Sequence, residues 1–177
     1  MEPLKVKIEN ILYATDLSES AHYAFSYAVS LADQYGAKIT FLNVLPETPS
    51  IIESSGAIGY IGQTRWKELE DSHLQDAKDV LIGKRKDHLL VREILGQFSE
   101  KARYNSERAT EGDEIIVEQG DPVDVILDVA KEKNCDLIVM GTHGRGPLAE
   151  ALMGGTVKQV IRRSTTPVLV VRLPKDL

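Results

Sequence analysis

The chain has 177 residues, 42% of them hydrophobic and 27% charged, a balance that suits one globular domain with room for a sizeable core. Its formal net charge of −6 runs against a nucleic-acid-binding surface, which is usually basic. A lone cysteine excludes an internal disulfide, no N-terminal stretch resembles a signal peptide, and no apolar run reaches the ~20 residues of a membrane span; the expectation is a soluble, cytoplasmic protein with no membrane or nucleic-acid partner.

Ile11 to Ala14 is a short apolar run followed by Thr15 and Asp16, and it reads as strand one. From Ala21 to Tyr35, Ala21, Ala24, Phe25, Ala28, Leu31 and Ala32 recur at three- and four-residue steps. That spacing predicts an amphipathic helix, with Gly36 as its C-terminal stop and Asp16 as a candidate N-cap. Lys38 to Leu45 is strand two, closed by Pro46.

Pro46 to Gly112 is much longer than one crossover helix requires, and it reads as a helical insertion. Ile51 to Gly62 is apolar but rich in glycine, so it reads as a loop: a lid, a partner-packing segment or a disordered stretch. Trp66, Leu69, His73, Ala77 and Leu81 follow a helical stripe that Gly83 to Lys86 breaks. Leu90, Ile94, Phe98 and Ala102 make a second stripe with Asp87 as its cap, which suggests a hairpin.

Glu114 to Glu118 is strand three. Gly120-Asp121-Pro122 starts a helix, with Asp121 as N-cap and Pro122 at its first position. Val123, Ile126, Leu127 and Ala130 form the buried stripe. Cys135 lies at the edge of the next apolar run, where a small buried hydrophobe is expected rather than a nucleophile. Asp136 to Met140 is strand four, Thr156 to Arg163 a helix, and Pro167 to Arg172 strand five. Strands alternating with helices imply an α/β fold, a parallel sheet covered on both faces.

The richest segment is Gly141 to Arg163, where glycines cluster between strand four and a helix. Backbone without Cβ atoms lets an anion approach, and the N–H groups of a helix start favour negative charge. No GxxxxGK[ST] string is present. Gly144 to Ala149 matches a dinucleotide GxGxxA pattern by chance, since it follows the fourth strand and no acidic residue waits at the end of a next strand. The wider spacing is Gly141-x-x-Gly144, nine residues, then Gly154-Gly155-Thr156.

On that spacing the chain resembles the universal stress protein family, whose motif G-x2-G-x9-G-[ST] follows its fourth strand. Tyr13 to Asp16, Phe41 to Val44, Gly120 to Gly146 and Thr165 to Arg172 are also similar to the family pattern, about two-thirds of the chain. The resemblance implies a fold like that of the adenine nucleotide α-hydrolases, with five parallel strands in the order 3-2-1-4-5. In that order strands one and four flank a topological switch point, where ligands sit outside the strand carboxyl ends.

The resemblance further implies a site for ATP, ADP or AMP, with Mg²⁺ or Mn²⁺ carried on the phosphates. Ala14, Thr15 and Asp16 would lie at the ribose or adenine side, and the backbone of Val44 would meet the adenine. Met140 and Gly141 would line the pocket; Gly144, Gly154, Gly155 and Thr156 would wrap the phosphates. His143 is equally readable as a phosphate contact or an exposed loop residue, and Arg145 as a phosphate cation or a solvated arginine. Arg162 and Arg163 suit the dipole of their own helix end. No His or Cys pair has metal-ligand spacing, so no protein-held metal is expected. The family commonly dimerises by pairing its last strand, here Val168 to Arg172.

One residue departs from the pattern: Gly155 stands where the motif has Ser or Thr, and Thr156 comes one place late. The reading is a nucleotide-binding regulatory protein rather than an enzyme, with ATP hydrolysis slow at most. The alternatives are a nucleotide-free dimeric module, favoured by Gly155, and a true ATPase with the insertion as lid.

Overall fold

The computed structural model describes residues 5–45, 80–104, 112–142 and 153–174. Along the chain these form β1 (Asn10–Ala14), α1 (Glu19–Tyr35), β2 (Lys38–Leu45), α2 (Val80–Tyr104), β3 (Glu114–Gln119), α3 (Pro122–Glu132), β4 (Leu137–Gly141), α4 (Gly155–Arg163) and β5 (Val168–Val171). The strands make one parallel sheet in the order β3-β2-β1-β4-β5, as the resemblance implied. Ala14 lies level with Leu42 on one side and Met140 on the other.

Alternation along each strand divides the core in two. Ile11, Tyr13, Ile39, Phe41 and Val139 face α1 and α2, where they meet Ala24, Phe25, Ile94 and Phe98. Leu12, Ala14, Leu42, Ile138 and Met140 face α3 and α4, against Val123, Ile126, Val157 and Val160. Burying a side chain of this kind stabilises the fold by roughly 1.5–3 kcal/mol, so both faces must be covered. Cys135 belongs to the second cluster and is buried. Burial pushes its thiol up to about 11, which is the inert behaviour expected of it.

Local chemistry accounts for the element ends. Ser18, not Asp16, caps α1: its Oγ accepts from the Ala21 N–H at 3.2 Å, and the helix begins at Glu19 rather than Ala21. Gly36 ends α1 in the left-handed region at φ 67, its N–H donating to the Ala32 carbonyl. Asp121 caps α3, with Oδ1 accepting from Val123 N at 2.9 Å and Asp124 N at 3.1 Å. Within α3, Val129 is buried and Leu127 only half-buried, a modest rotation of the expected stripe. Asp136 precedes β4 instead of opening it: its Oδ2 accepts from Glu9 N at 2.8 Å and Asn10 N at 2.9 Å, tying the start of β1 to that of β4. Asp113 does the same for β2, accepting from Ile39 N at 2.8 Å.

The expected break at Gly83 to Lys86 does not occur. α2 runs through it from Val80 to Tyr104, and Asp87 lies inside the helix instead of capping it. A single interior glycine costs only about 1 kcal/mol, while Lys and Arg are good helix formers. Docking of Leu90, Val91, Ile94, Leu95 and Phe98 on the sheet outweighs that cost. Ile51 to Gly62 and the stripe from Trp66 to Ala77 lie outside the described residues.

Candidate functional site

β1 and β4 are neighbours at the centre of the sheet, yet the chain leaves them for opposite faces: α1 follows β1 onto one cluster and α4 follows β4 onto the other. That divergence opens a crevice at their carboxyl ends. Asp16 comes two residues after β1, and Gly141 is the last residue of β4.

The turn after β1 is held from several directions. The Thr15 N–H donates to the Leu42 carbonyl at 2.9 Å, and the Thr15 carbonyl accepts from Asn43 Nδ2 at 2.7 Å. Thr15 Oγ1 accepts from Leu17 N at 3.0 Å, and Asp16 Oδ1 accepts from Ser18 N at 3.0 Å. Leu17 sits in the left-handed region at φ 63, a conformation that costs a residue with a Cβ roughly 1–2 kcal/mol. Its side chain is 2% exposed, so burial offsets the strain. Thr15 is buried and Asp16 half-buried.

Ala14 and Met140, a register pair, are buried in the cluster that holds Val157 and Val160 of α4, and Val44 packs partly buried on it. They make an apolar wall beside the start of α4. Gly141 is required by packing alone: a Cβ there would lie 2.6 Å from Ser20 Oγ, 2.7 Å from the Ser20 carbonyl carbon and 2.8 Å from Ala21 N. β4 therefore ends in direct contact with the first turn of α1.

α4 begins at a glycine pair. Gly154 is its N-cap and, having no side chain, makes no capping bond; its own N–H donates to the Thr142 carbonyl at 2.9 Å. Gly155 is exposed and Thr156 half-buried. The first N–H groups of a helix carry its positive end and suit an anion, and here the capping residue brings no side-chain acceptor of its own to them. At the other end Arg163 pairs with Asp124 of α3 at 2.6 Å, in keeping with a structural role. His143, Gly144 and Arg145 lie outside the described residues. The structure therefore brings Ala14, Thr15, Asp16, Val44, Met140, Gly141, Gly154, Gly155 and Thr156 to the carboxyl edge of the sheet or the helix start beside it. Sequence reasoning missed Asn43 and Ser20; nothing in a strand pattern or turn composition marks an inter-strand clamp or a helix–strand contact.

Parallel α/β sheets with such a crevice bind ligands outside their strand carboxyl ends, and this architecture defines the class. Residues 7–172 match the universal stress protein family. The chain is 32% identical over 162 residues to the universal stress protein YxiE of Bacillus subtilis, covering 92% of this chain and 97% of that one. It is 26% identical to universal stress protein MJ0577 of Methanocaldococcus jannaschii, covering 96% and 98%. The chain belongs to the universal stress protein family.

Solved structures agree on the fold. The MJ0577 structure superposes with a TM-score of 0.65 at 23% identity, covering 96% of this chain and 99% of that one. A universal stress protein in complex with cAMP gives 0.61 at 22% identity, covering 93% and 97%. An Arabidopsis thaliana member with AMP bound gives 0.56 at 18% identity, covering 95% and 94%.

Proposed function

We propose that this chain is an adenine-nucleotide-binding regulatory protein, acting by binding rather than by covalent chemistry. The observation that carries the reading is the pairing of two features at one crevice: the braced Thr15–Asp16 turn after β1, and a helix start at Gly154–Gly155 whose N-cap glycine supplies no capping side chain of its own. The family membership and the nucleotide complexes of the two fold relatives support it. Asp16 takes the ribose or adenine side and Val44 the base, with Ala14 and Met140 as the apolar wall. Gly154, Gly155 and Thr156 take the phosphates, completed by His143, Gly144 and Arg145. Mg²⁺ or Mn²⁺ is read as arriving on the phosphates. Calorimetric titration with ATP, ADP and AMP, with and without Mg²⁺, tests the reading; absence of heat in every case would overturn it. Nucleotide released on denaturing the purified protein would support it directly.

The second reading, a nucleotide-free module of the same fold, is favoured by one observation: packing against Ser20 already accounts for Gly141 without any ligand. The same titration separates the two.

We also read residues 1–177 as one domain with an insertion at about 46–112, and place the protein in the cytoplasm. No helix among the described residues is long and apolar enough to cross a membrane. A homodimer through β5 is the proposed assembly. β5 is an edge strand of the sheet, and Val168, Leu169 and Val170 are only half-buried. The carbonyls of Pro167 and Val171 bond β4, so the alternate residues Val168 and Val170 direct their backbone groups outward. Val170→Pro should therefore yield monomers by light scattering; an unchanged dimer mass would place the interface elsewhere.

A further inference from the structure

Asn43 is 3% exposed on β2, beside the end of β1. Its Nδ2 donates to the Thr15 carbonyl at 2.7 Å, while its Oδ1 is buried with no hydrogen-bond partner among the described residues. Contact with a carbonyl, which can only accept, fixes which end of the amide carries the nitrogen. A buried acceptor left in this state is destabilising, and native cores rarely keep one. The neighbouring positions Ile39, Phe41 and Leu42 are apolar and buried. A leucine at position 43 would fill nearly the same shape without the orphaned oxygen. The asparagine therefore supplies something packing does not ask for, a single donor delivered to Thr15.

We propose that Asn43 is a positioning residue for the nucleotide site: its amide pins the Thr15 carbonyl and so holds the Asp16 turn at the mouth of the β1–β4 crevice. The inference rests on the nucleotide-binding reading above. Two hydrogen bonds tie Thr15 to β2, Thr15 N to the Leu42 carbonyl and Asn43 Nδ2 to the Thr15 carbonyl. The bonds from Leu17 N to Thr15 Oγ1 and from Ser18 N to Asp16 Oδ1 lie within the turn and move with it. The strained φ of Leu17 gives the turn a reason to relax once a tether is lost. Asn43 touches no ligand in this account; it acts through Asp16.

The test combines affinity and local order on the full chain. Asn43→Leu should keep its fold by circular dichroism yet weaken AMP and adenosine binding about tenfold, equivalent to about 1.4 kcal/mol. Asn43→Asp should weaken it further, because a carboxylate oxygen would face the Thr15 carbonyl, acceptor against acceptor. In the Asp16→Ala background the effect of Asn43→Leu should vanish, since the residue it positions is gone. Wild-type affinity in Asn43→Leu, or an undiminished loss in the Asp16→Ala background, would overturn the proposal. Amide hydrogen exchange at Leu17 and Ser18 gives a readout independent of nucleotide: Asn43→Leu should speed it about tenfold relative to β4. If the wild type bound no nucleotide the functional reading would fall, and unchanged exchange would refute the positioning role itself.

Discussion

Gly155 is where the proposed phosphate site departs from its family pattern, and restoring a hydroxyl there has a calculable outcome. A Cβ at Gly155 meets no heavy atom of the described residues within 4 Å, and the residue is not among the positive-φ glycines. Gly155→Ser is therefore free of strain, and its two consequences can be separated. Loss of glycine freedom in the unfolded chain should stabilise the fold by about 0.5–1 kcal/mol, which raises the melting temperature by about 1–4 °C at this chain length. Gly155→Ala should do the same. The hydroxyl adds a hydrogen bond to a charged phosphate, about 1.5 kcal/mol or roughly tenfold in affinity, and only Gly155→Ser can supply it. Calorimetry should then show ATP bound about tenfold tighter by Gly155→Ser than by Gly155→Ala, with adenosine unchanged. Thr156→Val should change ATP affinity less than about twofold, within the small end of neutral hydrogen-bond effects. Equal ATP affinity in the Ser and Ala variants, or a large loss in Thr156→Val, would refute the reasoning and assign the hydroxyl to Thr156.

Gly141→Ala should destabilise by about 1–3 kcal/mol, because two of the three atoms its Cβ would strike are α1 backbone atoms of Ser20 and Ala21; a thermal melt matching wild type would contradict the contact. Cys135 should resist thiol reagents at pH 8 in the native state and react freely when unfolded. Its thiol is raised from 9.0 to about 11 chiefly by burial, so the stability it contributes is present below pH 9 and is lost as pH rises towards 11; Cys135→Ala should show a shallower alkaline decline in denaturant melts. His22 lies against Phe25 and Phe98, and burial first, then the nearby Lys101, hold its pKa below the ordinary 6.5. The folded state keeps it neutral, so its contribution is present above pH 6.5 and is lost as pH falls through the lowered value. His22→Phe should flatten that acid decline, and an unaltered acid limb would argue against this account.

The strands and the start of α3 were legible because their causes are local. Apolar runs bounded by turn residues mark the strands of a buried parallel sheet, and Asp121-Pro122 places a cap and a rigid first residue side by side. Gly36 ends α1 because the left-handed residue there is cheap only for glycine. The cap of α1 was misplaced because Asp16 and Ser18 both have a suitable side chain, and the choice between them depends on the left-handed turn at Leu17. Gly83 was misread as a stop because its local cost is small beside the burial of five apolar side chains farther along α2.

The site divides in the same way. Glycine spacing and the aspartate after strand one mark the two chemical ends of the proposed nucleotide site, since both depend on residue type within a short stretch of chain. Only tertiary structure brings β1 against β4, and only it shows that Gly141 is small for α1 as well as for any ligand. The role of Asn43 is likewise a contact across 28 residues of sequence, made possible by parallel pairing that leaves no local signature. The sequence by itself determined the elements and the chemistry offered at their ends; the tertiary structure decided which ends meet, because long-range packing, and not residue preference, sets that geometry.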